Sequence, residues 1–78
     1  MPHVEIWHQP AELSEPARRR LETEIVTAVA RAYGVAEGVV SIGTESVPAQ
    51  QWDEQVYRPR ITERGSTAGN RLLRSPDY

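Results

Sequence analysis

SEPARRRLETEIVTAVARAYG (residues 14–34) is the stretch that decides the fold. Ser14 is a favoured N-cap, Glu15 suits the positive end of the helix dipole, and Pro16 is tolerated in a first turn. Leu21, Ile25, Ala28, Val29 and Ala32 fall at i, i+4, i+7, i+8 and i+11, which is one apolar stripe. Gly34 then stops the helix. The spacing predicts a helix from Glu15 to about Tyr33, roughly 28 Å long at about 1.5 Å per residue. The run Arg18, Arg19, Arg20 reads as its solvated face, with a partner expected from Glu12, Glu15 or another chain.

Both flanks of this helix read as strands. Before it, HVEIWH (residues 3–8) alternates with period two. Val4, Ile6 and His8 point to one face; His3, Glu5 and Trp7 point to the other. QPAEL (residues 9–13) is a loop. After the helix, GVVSIGTESV (residues 38–47) puts Val40, Ile42 and Thr44 on one face and Val39, Ser41, Gly43 and Glu45 on the other. Strand, helix, strand predicts parallel strands joined by a right-handed crossover. The expected class is therefore α/β (α+β): one β-α-β unit with a two-stranded parallel sheet, in a single domain over residues 1–78. VPAQQWDEQVY (residues 47–57) reads as a loop with a short helical turn around Trp52. The polar remainder carries Gly65, Gly69 and a Leu72-Leu73 pair that suggests a short docked element.

A two-stranded parallel sheet with one helix covers one face only, and parallel sheets are normally covered on both. Trp7 and Val39 fall on the open side. A chain of 78 residues has a marginal core, and no cysteine is present to staple it. A second copy is the simplest cover, so dimerisation is expected to complete the fold.

Composition removes several function classes. Nine arginines stand against eleven acidic residues, for a net charge of −2, which argues against a nucleic-acid partner. All the basic residues are arginine, so a Schiff-base lysine is excluded. His3 and His8 face opposite sides of an extended strand and cannot chelate one metal ion together. No apolar run has the length of a membrane span and none reads as a signal peptide, which makes the cytoplasm the expected location.

Pro2 has two readings. A proline is tolerated at the first residue of a strand. It is also a secondary amine once Met1 is removed, and a secondary amine can serve as a base. MPHVEI, the helix from Ser14, the strand VVSIGTESV, the PAQQW turn and the closing LLRSPDY together resemble the tautomerase superfamily. They are most similar to its 4-oxalocrotonate tautomerase-like members, and among those to the dimeric phenylpyruvate tautomerase subgroup. The resemblance covers nearly the whole chain.

The resemblance implies an isomerase that needs no cofactor and no metal. Pro2 would be the general base of a keto–enol shift in a 2-keto acid or a similar small enolisable carbonyl compound. A general base works best with a pKa near the working pH, and an apolar pocket lowers that of an amine. The backbone N–H of His3, beside Pro2, would donate to a substrate oxygen, and Trp52 would form an aromatic pocket wall. Two arginines that family members use to hold a dicarboxylate have no counterpart: Ala11, Glu12 and Leu13 occupy the first region and Ser41 the second. Ser41 becomes a polar pocket residue, and Arg58 and Arg60 are candidates for the substrate carboxylate. Two alternatives stand beside this reading: a weakly active or non-catalytic homodimer that keeps the fold, and a hydratase or dehalogenase of the same superfamily.

Overall fold

The computed structural model describes the whole chain, Met1–Tyr78, as two compact units, Met1–Ser46 and Val47–Tyr78. The first unit is a β-α-β element. Strand β1 spans His3–His8, helix α1 spans Glu15–Tyr33, and strand β2 spans Ser41–Ser46. The strands pair in parallel, with His3 opposite Ser41, Glu5 opposite Gly43 and Trp7 opposite Glu45.

Helix α1 has the bounds that its caps dictate. The Ser14 hydroxyl accepts a hydrogen bond from the Ala17 N–H at 3.2 Å. Gly34 adopts φ 66° and its N–H bonds back to Ala30 O, which closes the helix in the left-handed conformation that glycine favours. Glu15 pairs with Arg18 and lies 3.6 Å from Arg19, so two of the three consecutive arginines answer a first-turn carboxylate.

The helix's buried face is rotated from the expected stripe. Ala30 is buried, and Ile25, Val26, Thr27 and Val29 are half-buried. Ala28 and Ala32 are exposed, and Leu21 keeps 37% of its surface. Val26 explains the rotation. It lines the space between helix and sheet with Ile6, Val40 and Ile42, whereas Ala28 points away from it. The apolar sides of both strands face this space, as the alternation requires.

Strand β2 starts later than the sequence suggests. Glu37–Val39 form a 3-10 turn, in which Val39 N–H bonds to Ala36 O at 3.2 Å and Val40 N–H to Glu37 O at 3.1 Å. The Thr27 hydroxyl donates to the Glu37 carboxylate at 3.3 Å and holds the turn against α1. Val39 therefore lies outside the sheet.

The second unit has a 3-10 turn at Ala49–Gln51 and, from Asp53 to Thr62, a π-helix in place of the short turn expected around Trp52. Pro59 sits inside it. Wider turns bring residues five apart together. Arg58 reaches Asp53 at 2.9 Å, and Glu63 N–H bonds to Arg58 O at 2.7 Å. Val47 and Val56 are the buried residues of this unit. Beyond the π-helix, Thr67 and Asn70 exchange two backbone hydrogen bonds. The Leu72-Leu73 pair forms no docked element: Leu73 is 87% exposed.

Candidate active site

The N-terminal ends of the two strands converge on Ser41. Its backbone N–H donates to Pro2 O at 3.2 Å, so the first residue of β2 holds the carbonyl that precedes β1. Its hydroxyl oxygen lies 2.6 Å from His3 Nδ1. The other imidazole nitrogen, Nε2, lies 2.8 Å from Glu5 Oε1. An ionised carboxylate only accepts, so Nε2 carries the proton. In the neutral ring Nδ1 is then an acceptor, and the Ser41 hydroxyl donates to it.

Parallel register produces this chain of contacts. His3 and Glu5 are two apart on β1 and share a face, and Ser41 lies opposite His3. Gly43 lies opposite Glu5. A Cβ at Gly43 would come within 2.8 Å of Glu5 Oε2 and 2.9 Å of Oε1, so the missing side chain is the space the carboxylate occupies. Pro2 is half-buried beside this network. Of the residues singled out from sequence, Pro2, His3 and Ser41 are thus brought together. Glu5 and Gly43 were not singled out. Their signal is present, a carboxylate and a glycine on matching faces, but it is readable only once the register is known.

The other candidates belong to the second unit. Trp52 Nε1–H donates to the Tyr78 hydroxyl at 3.1 Å. The Tyr78 ring lies 5.5 Å from that of Tyr57, tilted by 33°, and the Tyr57 hydroxyl donates to the Tyr78 backbone carbonyl at 3.1 Å. Trp52 is therefore one side of an aromatic cluster. Arg58 is engaged by Asp53, in a surface pair of the kind that contributes at most about 1 kcal/mol. The Arg60 backbone carbonyl accepts from Arg64 at 3.4 Å. No group of three or more His, Cys, Asp or Glu side chains is arranged to hold a metal ion, and no helix is long and apolar enough to cross a membrane.

No protein-family profile matches the chain. Individual relatives do. A "Probable tautomerase" of Xylella fastidiosa (strain 9a5c) is 35% identical over 78 residues, which is 100% of this chain and 89% of the relative. The chain belongs to the tautomerase superfamily. "Tautomerase PptA" of Cronobacter sakazakii (strain ATCC BAA-894) is 27% identical, and that of Pectobacterium carotovorum subsp. carotovorum (strain PC1) 24%. Each of these matches spans all of this chain and 97% of the relative. This tautomerase is an isomerase, and a tautomerase shifts a proton within one molecule of a small substrate. What its site must supply is a base to take the proton and a polar surround for the oxygen where charge develops.

Proposed function

We propose that this tautomerase interconverts the keto and enol forms of a 2-keto acid bearing one carboxylate, with Pro2 as general base after removal of Met1. The observation that carries the reading is the Ser41 N–H bond to Pro2 O, which anchors residue 2 at the end of a paired strand. In the enolising direction the Pro2 nitrogen takes a proton from the carbon next to the carbonyl. The electrons of that C–H bond become the C=C bond, the C=O π pair moves onto oxygen, and the Pro2 ammonium so formed returns the proton there to give the enol hydroxyl. Protonation at carbon by the Pro2 ammonium reverses the step. The His3 backbone N–H is assigned to the substrate oxygen, Trp52 to a pocket wall, and Arg58 or Arg60 to the carboxylate.

A homodimer acting in the cytoplasm is the unit we assign. An open cleft of about 280 Å³ runs between α1 and the sheet, lined by Ile6, Leu21, Val26, Val40 and Ile42 and, on its polar side, by Arg18, Glu22 and Thr44. A second, of about 360 Å³, adjoins it at Leu13, His8 and Ala11. Leu13 is 58% exposed. Aliphatic side chains left this open between one helix and a two-stranded sheet support cover by a second copy.

Ketonisation of phenylpyruvate enol by wild type and Pro2→Ala tests the base. Wild type is expected to exceed the buffer rate by orders of magnitude, and Pro2→Ala to lose at least about a hundredfold, the low end of what general-base catalysis contributes. Equal rates in the two proteins would remove Pro2 from the reaction.

A further inference from the structure

We propose that Glu5 is a positioning residue for the proton transfer, acting through His3 and Ser41 on Pro2. The inference rests on the tautomerase reading above and adds two residues to it, Glu5 and Gly43. An N-terminal proline whose ring is fixed has one soft backbone dihedral, ψ, between its nitrogen and the strand. That dihedral is set by where the Pro2 carbonyl points, and the Ser41 N–H holds it at 3.2 Å. This hydrogen bond lies at the open end of a two-stranded ladder, where strands fray. Two side-chain bonds reinforce it. The Ser41 hydroxyl ties β2 to His3 at 2.6 Å, and Glu5 holds the far side of the same ring at 2.8 Å. Without Glu5 the imidazole is free to turn, the Ser41 hydroxyl loses a fixed partner, and the base at the strand end loses its bracing.

Gly43 gives this inference an independent handle. Its missing Cβ is the room in which the Glu5 carboxylate sits, since an added methyl would meet both oxygens inside 3.0 Å. The colliding atoms are the far end of a flexible side chain, so Gly43→Ala moves Glu5 rather than the backbone. The position has no positive φ, and alanine suits a strand no less than glycine does. Gly43→Ala therefore removes the Glu5–His3 bond while leaving Glu5 in the sequence.

The test is a double-mutant cycle on the enol substrate. Glu5→Ala and Gly43→Ala are each expected to lower kcat by about three- to tenfold with KM within about twofold, as expected when a reacting group is misplaced rather than lost. The double variant is expected to match Glu5→Ala, because the second change acts only through the first. Long-range 15N–1H spectra supply a readout that does not depend on turnover. The neutral His3 ring should be a single Nε2–H tautomer in wild type and a mixture in both single variants. Unchanged kcat in both variants, or equal Gly43→Ala effects with and without Glu5, would overturn the positioning role while leaving Pro2 catalysis standing. A wild-type protein with no activity on the enol would overturn the proposed keto–enol reaction of a 2-keto acid and the positioning role with it, whatever the spectra show of the His3 ring.

Discussion

The indole N–H of Trp52 is satisfied by the hydroxyl of Tyr78, 26 positions later in the chain, and the same tyrosine ring rests on Tyr57. The aromatic residue assigned to the pocket wall is therefore held in place by the last residue of the sequence. Tyr78→Phe keeps the ring contact and loses the hydrogen bond, for an expected cost of about 0.5–1 kcal/mol. Tyr78→Ala loses both and should cost about 1 kcal/mol more, the worth of an aromatic pair. Urea unfolding followed by Trp52 fluorescence in a Trp7→Phe background measures the difference. Equal midpoints for the two variants would mean that the ring contact contributes nothing.

The ends of α1 give a second prediction. Ser14→Ala removes the hydroxyl that accepts from Ala17 N–H, and should cost about 1 kcal/mol. Gly34→Ala forces a side chain into φ 66° and should cost about 1–2 kcal/mol. The two sites share no partner, so the double variant should show the sum in denaturant unfolding. A marked shortfall would mean that the helix ends fray in the native protein.

Absence of lysine turns the N-terminus into a labelling site. Every basic side chain is arginine or histidine, so the terminal amine is the sole aliphatic amine of the chain. Reductive methylation adds one methyl to a secondary amine and two to a primary one. Intact mass after the reaction is expected to show a single methyl, on Pro2, with loss of ketonisation activity in step with labelling. Two methyls would mean that Met1 is retained and that the Pro2 nitrogen is an amide.

Substrate charge is the fourth test. With Ser41, Ala11, Glu12 and Leu13 where family members use arginines, phenylpyruvate enol should be favoured over 2-hydroxymuconate in kcat/KM by at least about tenfold, which corresponds to about 1.4 kcal/mol. Preference for the dicarboxylate would assign Arg58, Arg60 or an α1 arginine to the second carboxylate.

Association makes stability depend on concentration. If two copies share the apolar cleft, Tm should rise with protein concentration, and sedimentation velocity at micromolar concentration should give a dimer. A monomer with a concentration-independent Tm would show that the cleft needs no second copy.

The parts of this fold that were legible in the sequence are those with local signals. Ser14, Pro16 and Gly34 bound α1 because capping is a property of a few adjacent residues. Alternation assigned the faces of β1 and β2 for the same reason. Other features were not legible, the π-helix at Asp53–Thr62 among them. The 3-10 turn at Glu37–Val39 depends on Thr27, ten residues away, holding Glu37. The rotation of α1 toward Val26 depends on the width of the space over the sheet. The Glu5–His3–Ser41 network depends on register, which puts Ser41 rather than Val40 or Ile42 opposite His3. Family resemblance pointed to Pro2, His3 and Ser41 individually, and the pairing of the strands supplied the contact among them.

The π-helix carries a consequence for how this chain tolerates change in length. A wide turn holds one residue more than an ordinary helix needs for the same axial advance, and Pro59 is the natural residue to lose. Its ring would clash inside a regular α-helix, and its removal lets the turn that contains it close with ordinary bonds. A single-codon deletion there would leave a helix in place. It would leave Arg60 close to its present bearing from Trp52, since a wide turn with its extra residue and an α turn without it sweep nearly the same rotation. The segment is slack in the chain, where one residue could be lost without breaking the element or re-aiming the arginine beyond it.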